Sequence, residues 1–121
     1  MRGEKGTITL SPDIAMILVP AYNEAESIAD VLAEIGVHSK LPIVVIDDAS
    51  TDNTGAEARA AGATVISLPT QLGAWGATQT GLRYALRHGY ELAITMDADG
   101  QHDAASLKNL LNPVLQGTAD V

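Results

Sequence analysis

The chain has 121 residues, about the length of one small domain. Of these, 46% are apolar and 18% charged, a composition typical of globular rather than disordered proteins. Its 15 acidic and 7 basic residues give a formal net charge of −8, which argues against a nucleic-acid partner because phosphate backbones are bound by basic surfaces. The sequence contains no cysteine, which excludes disulfide bonds, a thiolate metal site and a cysteine nucleophile.

Short apolar runs alternate along the chain with segments of helical periodicity. Residues 1–12 are predicted to form a flexible arm, and residues 13–121 a single domain. The predicted elements are a strand at 14–19 that stops at Pro20, a helix at 27–36 that stops at Gly36, a strand at 42–46, a helix at 51–61 that stops at Gly62, a strand at 64–68, a helix within 73–88, a strand at 92–96, and a helix at 104–115 with Asp103 as its N-cap. This alternation predicts an α/β fold with a mostly parallel sheet and right-handed crossovers.

The helix within 73–88 carries Trp75, Gln79, Leu82 and Leu86 near one face. We expect Trp75 to lie in the core or to cover the site as a lid. Gly81 is predicted to let the helix approach the sheet closely, because it has no side chain to hold the backbones apart.

The lengths of the apolar runs indicate whether the sequence carries a segment of the kind that enters membranes. No apolar run approaches the ~20 residues of a membrane-spanning helix, and residues 1–11 lack the apolar core of a signal peptide. We therefore expect a cytoplasmic location, including the cytoplasmic face of the membrane. Residues 118–121 begin a further apolar stretch, which predicts that the domain continues beyond this chain.

Acidic side chains gather where predicted strands end. The first strand is followed by Pro20, Tyr22 and Glu24, the second by Asp47 and Asp48, and the fourth by Asp97 and Asp99. The carboxyl ends of parallel strands share one edge of a sheet, where ligands bind in open α/β folds. Converging carboxylates repel one another unless a cation lies between them, and all-oxygen ligands favour Mg²⁺ or Mn²⁺.

The sharpest local pattern is Asp97-Ala-Asp99. Two carboxylates two positions apart can reach one ligand if the chain turns, and Gly100 allows such a turn. Gln101 and His102 add further polar groups beside them. The alternative is a polar strand exit whose aspartates only cap loops.

The segment from Asp47 to Asp52 divides into two parts. Ser50 or Thr51 is predicted to cap the following helix, with Asp52 in its first turn. Capping does not explain the preceding pair, since adjacent acids at a buried strand end are costly without a partner. We therefore assign Asp47 and Asp48 to ligand binding.

The glycine-rich stretch at 71–81 opens a helix, and helix N-termini bind anions, so a phosphate cradle is one interpretation. Its glycines do not fit G-x-G-x-x-G, however, and no G-K-[ST] follows. Dinucleotide-binding and P-loop interpretations are therefore weakly supported.

Four motifs in this order resemble the N-terminal half of a family 2 glycosyltransferase with the Rossmann-like GT-A fold. The motifs are Val-Pro-Ala-Tyr-Asn-Glu at 19–24, Val-Ile-Asp-Asp-Ala-Ser-Thr-Asp-Asn-Thr at 45–54, the glycine-rich segment from Leu72 to Arg83, and Met-Asp-Ala-Asp-Gly-Gln-His-Asp at 96–103. The dolichyl- and polyprenyl-phosphate sugar transferase branch is the most similar. Each motif is weak alone, whereas the ordered set across 19–103 is specific.

The resemblance implies a nucleotide-diphospho-sugar donor, either a UDP- or a GDP-sugar, and an acceptor that is a lipid phosphate or a glycan. It implies roles for nine positions, in which Pro20, Tyr22 and Glu24 surround the nucleoside, Asp48 with Asp47 contacts the base or its sugar, Asp97, Ala98 and Asp99 form the DxD segment at the metal and diphosphate, and Gln101 completes the metal or phosphate shell. The implied metal ligands are Asp97, Asp99 and Gln101, holding Mg²⁺ or Mn²⁺.

Two departures from the family pattern limit what this chain is expected to do. A basic residue common in the glycine-rich loop of related enzymes is missing, since Ala74 and Trp75 occupy that region. The family's acceptor site and general base come from the second half of the domain, so no catalytic base is assigned to any residue here.

Two other classes of function remain as alternatives. The first is a donor-binding or regulatory module without turnover. The second is a phosphoacceptor receiver domain, also acidic and α/β, although there the acid pair follows the first strand rather than the second. A phosphatase is disfavoured because Gln101 stands where that motif has threonine. An uncovered sheet edge would favour self-association.

Overall fold

The fold is an α/β arrangement in which strands and helices alternate along the chain. The structure, a computed structural model, describes residues 11–99. Its elements are β1 (Ala15–Ala21), α1 (Ile28–His38), β2 (Ile43–Asp47), α2 (Thr54–Ala60), β3 (Thr64–Ser67), α3 (Gly73–Arg87) and β4 (Leu92–Thr95). All seven were predicted, which confirms the α/β class. The helix predicted at 104–115 and most of the arm at 1–12 lie outside the described residues, as do Gln101, His102 and Asp103.

The four strands form one parallel sheet in the order β3-β2-β1-β4. The chain moves outward from β1 through β2 to β3, and then returns across the sheet to place β4 on the other side of β1. This reversal between β1 and β4 creates a switch point, where a crevice opens at the carboxyl ends of the strands. β3 and β4 are the outer strands of the described sheet, and self-association through an edge stays a prediction.

β1 does not stop at Pro20, as the sequence predicted, but continues to Ala21. The Leu18 carbonyl accepts a hydrogen bond from the Met96 amide, and this is the last backbone bond between β1 and β4. Pro20 is two positions further along, so its backbone nitrogen faces the same side, beyond the last β4 partner. The missing N–H of proline therefore costs no ladder bond there.

Glycines were predicted to end α1 and α2, and whether each does so depends on its backbone conformation. α1 runs through Gly36 to His38, because Gly36 is not among the residues with positive φ. Gly62 does follow α2 in the left-handed conformation, with φ of 99°, as a glycine at a helix end should.

The core has two layers, one on each face of the sheet. Alternate residues of β1 divide between them, with Ile17 and Val19 packing on the α1 and α2 side and Met16 and Leu18 on the α3 side. Returning across the sheet places α3 opposite the other two helices, as right-handed crossovers require.

α3 packs through its small residues rather than its large ones. Ala77, Gly81 and Ala85 are its buried positions, and a Cβ on Gly81 would lie 2.1 Å from Leu18 Cδ1. This confirms the predicted close approach at Gly81. Trp75, by contrast, is 71% exposed, so its predicted place in the core is wrong.

Within residues 11–99, no helix is both long enough and apolar enough to cross a membrane.

Candidate functional site

The site lies at the switch point of the sheet, where β1 and β4 end side by side. A cavity of about 300 Å³ opens there. Its lining comes from four segments of the chain and consists of Pro20, Ala21, Tyr22, Glu24, Asp48, Gln71, Gly73, Ala74, Ala77, Asp97, Ala98 and Asp99. Seven of the nine site residues named from the sequence are therefore brought together. Asp47 is not part of this lining, and Gln101 lies outside the described residues.

Asp48 is held by the start of α3. Its side chain is buried, and its two carboxylate oxygens accept hydrogen bonds from the backbone amides of Leu72, at 2.7 Å, and Gly73, at 2.9 Å. These are the first amides of α3, which have no acceptor within the helix and carry partial positive charge. The N-terminus considered above as a phosphate cradle therefore already binds an anion, the side chain of Asp48.

Asp47 points away from the cavity, toward α2. Its Oδ1 accepts a hydrogen bond of 3.0 Å from the Ser50 amide, and its Oδ2 lies 2.7 Å from where a Cβ on Gly55 would stand. The Asp47–Asp48 pair therefore has partners within the protein. Each acid thus has a partner without a ligand, and contact of Asp47 with the nucleotide stays a prediction, since Asp47 does not line the cavity.

Asp97, Ala98 and Asp99 come one residue after the end of β4 and border the cavity. Both carboxylates are exposed, whereas the Ala98 side chain is buried in the core layer that also contains Ile28. The segment thus has an anchored centre with a carboxylate on each side. Among residues 11–99, no three acidic or histidine side chains form a cluster that could by itself enclose a metal ion.

The β1–α1 loop is joined to the β2–α2 loop by a reciprocal pair of hydrogen bonds. The Asn23 amide donates to Ser50 Oγ at 2.9 Å, and Asn23 Oδ1 accepts from the Thr51 amide at 2.8 Å. Asn23 adopts a φ of 54°, a conformation that asparagine tolerates better than most residues. Ser50 and Thr51 are therefore not the caps of α2 that the sequence predicted, and α2 begins only at Thr54.

A second pair of contacts joins the same two loops at Thr54, whose side chain is fully buried. Thr54 Oγ1 accepts a hydrogen bond of 2.9 Å from the Glu24 amide and donates to Asp52. Asp52 also accepts from the Ala25 amide at 3.2 Å. The side-chain hydrogen bond from Thr54 lowers the pKa of Asp52, with smaller contributions from the backbone amides of Thr54 and Ala25. Asp52 therefore joins the two loops, and it also accepts a hydrogen bond of 3.0 Å from the amide of Thr54, the first residue of α2, as its predicted place at the start of that helix implies.

Four lining residues were missed by the sequence analysis, namely Ala21, Gln71, Gly73 and Ala77. Ala74 was noted only as the occupant of a position that is basic in related enzymes. The available signal was the glycine-rich stretch at the start of α3, whose missing side chains leave room beside the strand ends. Gln71, the first residue of the stretch at 71–81, could have been found as the polar side chain at its start.

The cavity is strongly acidic. Four of its lining residues are carboxylates, and none of the lining residues within the described chain is a lysine, arginine or histidine. The amides of α3 offset the charge of Asp48, but Glu24, Asp97 and Asp99 add negative charge near the same space. An anionic ligand would be repelled here unless a cation accompanied it.

Comparison with known proteins shows a match to one family over most of the chain. Residues 16–121 match the family described as "Glycosyl transferase family 2". An undecaprenyl-phosphate mannosyltransferase from Micrococcus luteus is 38% identical over 112 residues, covering 88% of this chain and 45% of that protein. A UDP-N-acetylglucosamine–dolichyl-phosphate N-acetylglucosaminyltransferase from Methanococcus voltae is 27% identical over 128 residues, covering 92% and 51%.

Solved structures share the fold. The chain superimposes with a TM-score of 0.73 and 25% identity on glucosyl-3-phosphoglycerate synthase from Mycobacterium tuberculosis, crystallised with Mn²⁺, UDP-glucose and phosphoglyceric acid. The match covers 87% of this chain and 40% of the synthase. The chain thus spans about half or less of the length of these relatives.

Proposed function

Because the chain belongs to glycosyl transferase family 2, we propose that it is the donor-binding half of an enzyme that transfers a sugar from a nucleotide-diphospho-sugar. The observation that carries this proposal is the cavity at the switch point, lined by Pro20, Tyr22 and Glu24 from the β1 end and by Asp97 and Asp99 from the β4 end. A switch-point crevice is where α/β folds bind nucleotides. The family match also removes the ground for the receiver-domain alternative.

The cavity suits a donor that arrives with a divalent cation. Two exposed carboxylates, Asp97 and Asp99, are too few to enclose a metal, but Mg²⁺ and Mn²⁺ commonly take one or two protein carboxylates together with substrate phosphates and water. The residues present therefore fit such an ion, with Asp97 and Asp99 as its protein ligands. Gln101 stays a predicted third ligand.

The positions of the remaining residues support the roles proposed for them. Tyr22 is 39% exposed at the cavity, so its ring is available to lie against a nucleoside base. Glu24 offers a carboxylate that can accept hydrogen bonds from the base or ribose. Asp48, fixed by two amides, offers the same at a rigid position. A bound cation supplies positive charge against the charge that develops on the departing diphosphate.

The acceptor is proposed to be a polyprenyl phosphate. Two relatives are named for such acceptors, undecaprenyl phosphate and dolichyl phosphate, although their sugars differ. The acceptor site and the general base are proposed to lie outside the described residues, since none of the cavity's carboxylates is free of a proposed role in donor or metal binding. A cytoplasmic location at the membrane face stays a prediction.

The proposal is tested by calorimetric titration of the chain with UDP- and GDP-sugars, with Mn²⁺, with Mg²⁺ and without metal. We expect binding that requires the metal and that is lost in Asp99→Ala. The matched control is Asp13→Ala. It removes one exposed carboxylate just before β1, at the amino ends of the strands, whereas the cavity lies at their carboxyl ends. Binding that persists in Asp99→Ala, or absence of binding by the wild-type chain, would contradict the proposal.

A module that binds the donor without transferring it is the second candidate. It is favoured by the cavity itself, in which every carboxylate has a proposed role in donor or metal binding and none is assigned as the general base. Incubating the chain with radiolabelled donor and undecaprenyl phosphate distinguishes the two. Label in the lipid fraction supports a complete enzyme, and metal-dependent binding without transfer supports the module.

A further inference from the structure

Ser27 stands directly before α1, at the position where a side chain usually caps the helix. Its hydroxyl makes no such bond to its own helix. It lies instead 2.8 Å from the carbonyl oxygen of Ala98, 71 positions later in the chain. Glu24 Oε1 is further away, at 3.3 Å. Because a hydroxyl carries one proton, the shortest contact identifies the Ala98 carbonyl as its acceptor.

The bond to the Ala98 carbonyl holds a part of the backbone that the sheet no longer holds. β4 pairs with β1 only as far as Thr95, and the ladder closes with the Met96 amide on the Leu18 carbonyl. The next residues, 97–99, have left the sheet, yet they carry the two carboxylates at the cavity. The bond from Ser27 fixes the backbone midway between those carboxylates.

We propose that Ser27 is a positioning residue, whose hydroxyl holds the Asp97–Ala98–Asp99 backbone in the arrangement in which both carboxylates meet one divalent cation. This inference rests on the proposed function. Ser27 does not line the cavity, so it acts through the segment it holds. Two exposed carboxylates bind an ion well only if their separation is fixed in advance, since ordering them upon binding costs affinity.

The same hydroxyl relates the metal segment to the nucleoside side of the cavity. Glu24, which lines the cavity, is the second polar group beside Ser27. The β1–α1 loop is in turn held against the β2–α2 loop through Asn23 and Thr54. Through its bond to the Ala98 carbonyl, Ser27 thus connects the residues after β4 to these two mutually bonded loops.

The test uses the isotopically labelled chain, with the metal alone as probe. Ser27→Ala removes the hydroxyl, and Ser27→Thr keeps one at the same position. The matched control is Ser39→Ala, which removes a hydroxyl at the other end of α1, where it accepts from the Leu41 amide far from the cavity in the chain. Amide resonances of residues 97–99 report the backbone, and their broadening by Mn²⁺ reports binding at the carboxylates.

We expect Ser27→Ala to shift the amide resonances of Ala98 and Asp99 and to weaken Mn²⁺ binding by about 3- to 10-fold, the factor that loss of one typical hydrogen bond gives. Ser27→Thr and Ser39→Ala should resemble the wild type in both measurements. Unchanged amide resonances in Ser27→Ala, or unchanged Mn²⁺ affinity despite shifted resonances, would overturn the positioning role alone. A wild-type chain whose residues 97–99 do not respond to Mn²⁺ would overturn the metal site and this role together.

Discussion

The contact between Gly81 and Leu18 allows a direct test of how α3 packs on the sheet. A Cβ built on Gly81 would lie 2.1 Å from Leu18 Cδ1, 2.6 Å from Cδ2 and 2.9 Å from Cγ. Carbon atoms in ordinary contact are about 3.5–4.0 Å apart. Leu18 is fully buried in β1, between the neighbouring strands β2 and β4, so its side chain has little room to turn away. Gly81→Ala therefore forces α3 or Leu18 to move.

The expected magnitude is the difference between two opposing effects. Alanine in place of glycine inside a helix stabilises by about 1 kcal/mol. Inserting a methyl group into a filled core costs about 1–3 kcal/mol. Gly81→Ala should therefore lower the free energy of unfolding by up to about 2 kcal/mol. Gly36→Ala is the matched control, because Gly36 lies inside α1 with no atom within 4 Å of its would-be Cβ, and it should stabilise by about 0.5–1 kcal/mol.

Urea denaturation followed by circular dichroism measures both variants. With a slope of about 2 kcal/mol per molar urea, the midpoints of Gly81→Ala and Gly36→Ala should differ by roughly 1 M. Gly81→Ala should also become neutral or stabilising in a Leu18→Ala background, which removes the three opposing carbons. Equal midpoints for the two glycine variants, or the same effect of Gly81→Ala in both backgrounds, would refute the close packing of α3.

Three further predictions concern the loops around the cavity. Asp48→Asn should lower the free energy of unfolding by about 1–2 kcal/mol. The asparagine side chain has one oxygen and one NH₂ group, so it can accept from only one of the Leu72 and Gly73 amides. A denaturation midpoint equal to that of the wild type would contradict this. Gly55→Ala should lower the free energy of unfolding by up to about 2 kcal/mol after the helix-propensity gain of about 1 kcal/mol is subtracted, since the new Cβ would stand 2.7 Å from Oδ2 of Asp47; a gain in stability, as for an exposed helical glycine, would be the contrary result. The pKa of Asp52 is lowered in the folded state, so its stabilising effect is complete above about pH 5, where the unfolded carboxyl is also ionised, and disappears as the pH falls through the lowered value. The difference in urea midpoint between wild type and Asp52→Asn should therefore shrink between pH 5 and the acid limit of folding, whereas a pH-independent difference would rule out the Thr54 bond as its source.

The order of elements could be predicted because it depends on local patterns. Apolar runs and helical spacing recur along the chain, and each described element lies within about three residues of its predicted bounds. Errors occurred where a third element decides the outcome. Pro20 remains in β1 because β4 ends earlier than β1 does, and no feature of residues 14–20 contains that information.

The orientation of α3 was harder to predict for a different reason. Large apolar residues such as Trp75 and Leu86 normally identify the buried face, yet both are exposed here. The buried face consists of Ala77, Gly81 and Ala85, which lie one above another at intervals of four. Small residues bring the axis of α3 close to the sheet, so that the helix backbone itself contacts the strands. The number of large hydrophobic side chains in the sequence does not indicate this kind of contact.

The convergence of acids at one sheet edge was predictable from topology, but the sequence could not separate their roles. The same residue type performs two tasks, and only the partner distinguishes them. Asp48 is fixed by the amides of α3 and Asp47 by the Ser50 amide, so these acids contribute to the fold before any ligand arrives. Asp97 and Asp99 are exposed beyond the end of β4, in a cavity whose described lining holds no cationic side chain. We propose that these two carboxylates stand at the switch point because together they bind a cation and, through it, an anionic donor that this acidic chain would otherwise repel.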